Sequence, residues 1–259
     1  MLEPIQYALG GGSGALVGFV LGLVGGGGSI LAVPLLLYIV GVRDPHVAIG
    51  TSALAVAANA AMGLANHARH GKVKWRCALI FATAGIAGAF AGSSAGKAFD
   101  GHWLLFLFAL VMILVGILML RRRGTAGDPD VRLGRENAPK LLGYGLGAGA
   151  FSGFFGIGGG FLIVPGLVAA TGMPMINAIG SSLVGVTAFG LTTSFNYALS
   201  GLVDWLLAGA FIAGGLLGSI AGAKLARHLA DKRGALTNLF AISLFAVAGY
   251  MIWKTAAAL

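Results

Sequence analysis

Apolar positions in this chain run in long unbroken blocks, separated by short polar stretches, rather than alternating at strand or helix spacing. A block of about 18 or more residues with almost no charge is long enough for a helix to cross the hydrocarbon core of a bilayer at 1.5 Å per residue. The blocks predict three single spans in the first part of the chain, roughly 46–66, 76–97 and 103–120. Three more are predicted in the second part, roughly 176–196, 205–223 and 235–254. Each set follows a longer apolar stretch, Tyr7 to Val40 and Leu141 to Ala170, too long for one span and short for two. A helix, a glycine break and a second, shorter helix fit such a stretch. The expectation is an all-α integral membrane protein with about eight to ten transmembrane helices or half-helices, its glycine-broken helices meeting near the midplane.

The two long stretches carry one pattern twice: "GLVGGGGSILAVP" from Gly22 to Pro34 and "GFFGIGGGFLIVP" from Gly153 to Pro165. Shifting the chain on itself by about 130 residues extends the match. "AIGTS" ending at Ser52 meets "AIGSS" ending at Ser182, and Asn66, Gly71 and Trp75 meet Asn196, Gly201 and Trp205. Further on, Gly85, Gly88 and Gly92 meet Gly215, Gly218 and Gly222. Low complexity would align glycines, but not Asn, Pro and Trp together with them. The organisation read from this is a first transmembrane repeat over 1–120, a basic linker over 121–140 and a second repeat over 141–259.

Composition agrees: 58% of residues are hydrophobic and 10% charged, far from a soluble domain. The 45 glycines would break soluble helices, whereas in lipid small residues let helices approach closely. The start "MLEPIQYALGGGSG" has an acidic residue where a secretory signal has a basic one and reads as mature chain. Cys77 is the single cysteine, with no companion for a disulfide or a metal.

The net charge of +9 raises nucleic acid as a partner, and the placement of the charge answers it. Basic residues cluster at Arg69 to Arg76, at Arg121 to Lys140 and at Lys224 to Arg233, each between apolar blocks. That is the distribution of cytoplasmic loops, so lipid bilayer and no nucleic acid is expected. Equivalent loops of the two repeats carry opposite charge: the loop before Trp75 is basic, and its partner before Trp205 holds only Asp204. The repeats are therefore expected to be inverted, with an odd number of crossings each. Glu3, Asp44, Asp100 and Asp204 then fall outside, with Arg43 as an exception to the rule.

A helix that starts inside the membrane presents unpaired N–H groups and the positive end of its dipole, which suits an anion. Glycines allow close approach of that anion to the backbone. Such starts are expected at Ser29 and Gly160. The same glycines also serve helix packing, and the two readings are compatible. Thr51 and Ser52, with Ser181 and Ser182, bring hydroxyls that could donate to an oxyanion or bond their own backbone. Ser52, Asn59 and Asn66 share a helix face at a spacing of seven. Asn66 recurs as Asn196, either for a ligand or to hold helices together, whereas Asn59 aligns with Phe189.

None of the eight acidic residues falls in a predicted span, which favours an anion over a cation. His67 and His70 lie beside Arg69 and Lys72 at the interface. No nucleophile motif, metal cluster or Walker loop is present, so no enzyme activity, no cofactor and no metal site are expected. "GIGGG" lacks the strand and amphipathic helix that a dinucleotide loop needs.

The duplicated "GGGGSILAVPLLL" and "GIGGGFLIVPGL", the following "AIGTS" and "AIGSS", and "NHARHGKVKW" with "NYALSGLVDW" resemble the sulfite exporter TauE/SafE family, also called the toluene-sulfonate uptake permease family, over nearly the whole chain. The resemblance implies a multi-pass protein of the bacterial or archaeal inner membrane that moves small anions, often sulfur-containing oxyanions or organosulfonates. By position it implies a site at Gly25, Gly26, Gly27, Gly28, Ser29, Thr51, Ser52, Gly156, Gly158, Gly159, Gly160, Ser181 and Ser182, to which the helix-face argument adds Asn66 and Asn196. The expected function is a secondary transporter working by alternating access, with a small anionic substrate as partner and a homo-oligomer left open. The alternatives are an anion channel, recognised by fluxes too fast for a carrier, and a membrane scaffold or assembly factor, recognised by no flux.

Overall fold

The computed structural model of the chain describes residues 3–121, 134, 136–157, 160–229 and 245–253. Among these residues the helices follow the predicted blocks: α1 Pro4–Val24, α2 Ala32–Tyr38, α3 Pro45–Arg69, α4 Trp75–Ala98, α5 Gly101–Arg121, α6 Ala138–Phe155, α7 Gly160–Thr171, α8 Met175–Ala198 and α9 Trp205–Leu229. Residues 245–253 form a further helix, α10. Most of the predicted linker and the first part of the last predicted span lie outside the described residues. Among the described residues five helices are long and apolar enough to cross a membrane: α3, α4, α8 and the greater part of α1 and of α9.

Local chemistry sets the helix ends. Asp44 caps α3, its carboxylate accepting from His46 N at 2.8 Å, and Pro45 occupies the first turn, where its missing N–H costs nothing. The turns leading into α4 and α9 use Gly71 at φ +66° and Gly201 at φ +70°, a left-handed backbone that a side chain would strain. These two glycines are equivalent under the internal alignment. Trp75 and Trp205 open the helices that follow and are exposed, as is Trp103 near the start of α5. Exposed tryptophans at helix ends suit the headgroup boundary.

The close contacts give the direction of each helix. Gly14 lies against Phe211 and Gly18 against Gly215, so α1 and α9 run parallel. Gly145 lies against Phe81 and Gly149 against Gly85, so α4 and α6 run parallel too. Gly190 faces Ala53 and Ala57 while Gly180 faces His67 and Lys72, so α3 and α8 run antiparallel. Between α1 and α3 the chain retraces its path: Gly28 returns against the backbone of Val20 and Leu21, and Gln6 Nε2 donates to Val40 O at 2.8 Å. In the same way Gly166 on α7 comes back beside Tyr144 at the start of α6. Each long apolar stretch is therefore a helix plus a shorter returning one, as its length predicts.

One end of the bundle consequently gathers Arg69, Lys72, Lys74, Arg76, Lys140 and Lys224, and the other gathers Glu3, Asp44, Asp100 and Asp204 with Arg43 and Lys97. Equivalent residues also make equivalent contacts. The pair Gly18 and Gly215 matches Gly149 and Gly85, and Gly14 with Phe211 matches Gly145 with Phe81. Along both seams the absent side chains let backbones touch, which supplies the van der Waals contact that holds helices together in lipid. Between the seams lies the core, with Ile30, Leu36, Ile49, Phe81, Phe108, Phe189, Tyr197 and Phe211 fully buried.

Candidate functional site

The first glycine run does not open a break. Gly25 to Leu31 wind as a 3₁₀ helix, whose i→i+3 bonds engage the backbone, and Leu31 is already helical (φ −79°, ψ −16°) where α2 begins at Ala32. The helix start expected at Ser29 is thus displaced to Ala32, and Gly25, Gly26, Gly27, Gly28 and Ser29 all lie within the 3₁₀ segment. The second run does break. α6 ends on Gly156 in the left-handed region (φ 68°, ψ 20°), whose N–H donates to Ser152 O, and α7 starts at the buried Gly160 as expected. Gly158 and Gly159 lie outside the described residues.

The two reversals are not adjacent. Gly28 sits beside Leu21, near the basic end where Phe19 faces Gly222, whereas Gly156 sits against Ile49 in the second turn of α3 at the acidic end. The expected meeting of paired helix starts at the midplane is corrected: each returning element runs through the depth of the bundle, so its start lies near one end. What meets is flank against flank, since the 3₁₀ segment packs on α7, and both touch α8.

The four hydroxyls fall into two equivalent pairs. Thr51 Oγ1 accepts from Asp204 N at 2.9 Å, and Ser181 Oγ accepts from Lys74 N at 2.9 Å. Each ties one half to the residue before a helix of the other half. Ser52 Oγ donates to Ile49 O at 3.0 Å and Ser182 Oγ to Ile179 O at 2.8 Å. All four are buried, and the second pair bonds only its own helix backbone among the contacts of the described residues.

The two asparagines part company. Asn66 is exposed at the basic end, and its carbonyl is 2.8 Å from His70 Nδ1. Asn196 is buried and saturated: Nδ2 donates to Ser93 Oγ at 2.7 Å and Ser94 Oγ at 3.0 Å, and Oδ1 accepts from Lys97 Nζ at 2.9 Å. Lys97 also donates to Asn196 O at 3.0 Å and Ser200 Oγ at 2.9 Å, and its Nζ lies 5.9 Å from the Tyr197 ring centroid. The positions equivalent to Ser93, Ser94 and Lys97 are Ala223, Lys224 and Arg227, so the second network cannot form around Asn66 in the same way.

A different group of polar side chains is buried without partners among the described residues. Both amide atoms of Asn59, Ser152 Oγ, Thr193 Oγ1 and Ser13 Oγ are enclosed and make no hydrogen bond to any described residue. Ser152 adjoins Gly153, which faces Ala89, and Thr193 lies one turn beyond Phe189, whose ring faces Gly85 one turn before Ala89. Ser152 and Thr193 therefore lie at similar depth. Such groups in an apolar interior ask for a polar guest, because each unmet hydrogen bond costs about 1–3 kcal/mol.

The model of the family "Sulfite exporter TauE/SafE" matches residues 11–251. The chain belongs to this family. It is 55% identical over 249 residues to a "Probable membrane transporter protein" of Xylella fastidiosa (strain 9a5c), covering 96% of this chain and 95% of that one. The "Probable membrane transporter protein YunE" of Bacillus subtilis is 29% identical over 240 residues, covering 85% and 88% of the two chains. A "Probable membrane transporter protein" of the archaeal Methanocaldococcus jannaschii is 30% identical over 204 residues, covering 74% and 71%. No solved structure matches the chain. The TauE/SafE match and these relatives make the chain a multi-pass membrane transporter.

Sequence reading of this TauE/SafE chain missed Ser152, Thr193 and Lys97 as candidates. Ser152 stands within "FSGFFG", where a lone hydroxyl among glycines and aromatics carries no motif of its own. Lys97 had a visible signal: it is a cation outside the three basic clusters, on the side where the acidic residues gather. Its neutral acceptors come from the end of α8 and the turn after it, far away in sequence, and only the fold brings them together.

Proposed function

We propose that this TauE/SafE protein is a secondary transporter of the bacterial inner membrane that moves a small anion, a sulfur-containing oxyanion or organosulfonate, by alternating access between two inverted halves. The observation that carries the reading is the set of buried side chains whose hydrogen-bonding capacity is unmet among the described residues, Asn59, Ser152 and Thr193, in the helices of a transporter. All three can donate to an oxyanion, and the acidic residues near them in sequence stand at helix ends, where a passing cation would find no carboxylate at mid-depth. Antiparallel packing of the equivalent helices α3 and α8 supports the inverted relation, and the reciprocal glycine seams pair the first helix of each half with a later helix of the other. Such halves can rock against each other around a site at their crossing.

Ser52 and Ser182 belong to this proposed site. Their hydroxyls donate within their own helices, and a bond of that kind is easily exchanged because the acceptor carbonyl sits in the helix regardless. Turning to an anion costs little. The test is saturable uptake of labelled sulfite, sulfate and methanesulfonate into liposomes holding the purified protein, with and without a proton gradient. The expected result is saturable uptake of at least one, weakened by about 3–10-fold in apparent affinity in Ser52→Ala or Ser182→Ala, roughly the loss of one modest hydrogen bond. Uptake unaltered in both variants removes the serines from the site, and no uptake of any anion removes the function.

A further inference from the structure

Asn59 and Phe189 occupy equivalent positions in the two repeats, and both stand against equivalent glycines. The Phe189 ring lies on Gly85, whereas the Asn59 amide lies on Gly215. Where the second half fills this space with an aromatic ring, the first half puts an amide that is 1% exposed and whose Nδ2 and Oδ1 both lack a partner among the described residues. Position 59 is close to the middle of α3, which runs from Pro45 to Arg69, and Gly215 is close to the middle of α9. The amide is therefore at mid-depth, where α3 packs on α9; elsewhere along its length α3 also touches α1 and the 3₁₀ segment of the glycine run.

Phe189 shows that an apolar side chain is accommodated at the equivalent place. A buried amide with no hydrogen bond destabilises the fold relative to an apolar side chain of similar size, so its presence is not explained by packing. Its chemistry is specific: two N–H donors and one carbonyl acceptor, uncharged at every pH. A guest that satisfies both sides offers acceptor oxygens together with one donor. An oxyanion that carries its own hydroxyl or amino group, or that keeps one water of hydration, has that pattern. A bare halide does not.

We propose that Asn59 is the mid-membrane recognition residue for the transported anion, its Nδ2 donating to an anion oxygen and its Oδ1 accepting from the anion's own proton or its retained water. This rests on the anion-transporter reading. Because the second half carries Phe189 here, the pseudo-symmetric pair supplies one polar recognition point, not two, and the two states of the carrier present a single site to either side in turn.

Asn59→Leu, nearly isosteric, separates recognition from structure. Labelled sulfite and methanesulfonate uptake and thermal unfolding would be measured on wild type, Asn59→Leu and Asn59→Ser in the same liposomes and detergent. The expected result is apparent anion affinity lowered by about 10–100-fold in Asn59→Leu, the loss of a hydrogen bond to a charged group. It comes with an unfolding temperature raised by about 3 °C or more, as an unsatisfied polar group is removed. Asn59→Ser, smaller but still polar, keeps a larger part of the affinity and serves if the leucine variant does not fold. Unaltered affinity in whichever variant folds, beside an active wild type, overturns the role of Asn59 and leaves the transporter reading standing. A wild type that moves neither anion overturns that reading, and the proposal with it.

Discussion

The glycine seams make a prediction whose sign changes within two residues of one helix. A Cβ built on Gly149 of α6 would lie 2.6 Å from Gly85 Cα and 2.7 Å from its carbonyl carbon on α4. Gly18 of α1 stands at the same distances from Gly215 of α9. Carbon atoms in contact sit about 3.5–4.0 Å apart, so Gly149→Ala must part the helices by roughly 1 Å, and the obstacle is backbone that cannot swing aside. A gap of that size forfeits about a quarter to a half of the dispersion energy of the facing atoms, and overpacking of this kind costs about 1–3 kcal/mol. Gly147 is exposed on the same helix with nothing within 4 Å of its built Cβ. There Gly→Ala gains about 0.5–1 kcal/mol from helix propensity alone. Unfolding in detergent, followed by tryptophan fluorescence, should show Gly149→Ala lowered by about 3–10 °C and Gly147→Ala raised by about 1–4 °C. Gly18→Ala and Gly12→Ala should repeat the contrast in the first half, since Gly12 also has open space around it. Equal shifts of one sign in the two α6 variants would refute the seam as the source of cohesion.

Thr51→Val keeps the shape but leaves Asp204 N without its acceptor, and Ser181→Ala does the same to Lys74 N. Each should lower stability by about 1–3 kcal/mol, read as a fall in unfolding temperature, with the apparent affinity for anions unchanged. Lys97→Met and Asn196→Ala break one network between α4 and α8, so their effects on unfolding should not add. The double-mutant cycle should give a coupling of about 1 kcal/mol, modest because Lys97 is partly exposed. Additive losses would mean that the ammonium and the amide act separately.

The spans and their order were legible because charge-free blocks of membrane length mark helices strongly, and α3, α4, α8 and α9 begin within a residue or so of the predicted boundaries. The helix-and-return shape of the long stretches was legible too, from a length that fitted neither one span nor two. What periodicity could not give was depth. Glycine runs announce a reversal, but where the reversal lies depends on which helix each glycine touches, and Gly28 on Leu21 and Gly156 on Ile49 are separated contacts across opposite ends of the bundle. The asparagine pair misled for a related reason. Asn66 and Asn196 align perfectly, yet Asn196 is held by Ser93, Ser94 and Lys97 of α4, and the sequence has Ala223, Lys224 and Arg227 at the positions equivalent to those three. Asn59 was marked in the sequence by its helix face, shared with Ser52 and Asn66, and as an exception to the repeat. Its burial against Gly215 turns that exception into a functional question.

The central claim is that a small anion is carried by alternation of two halves, and counterflow tests it most directly. Liposomes holding the protein would be preloaded with unlabelled sulfite or methanesulfonate, and entry of the labelled anion would be followed at equal salt on both sides. The account predicts transient accumulation of label above its outside concentration, driven by exit of the unlabelled anion through the same site. Entry that only equilibrates, at a rate indifferent to the internal anion, would contradict it and make the protein a channel.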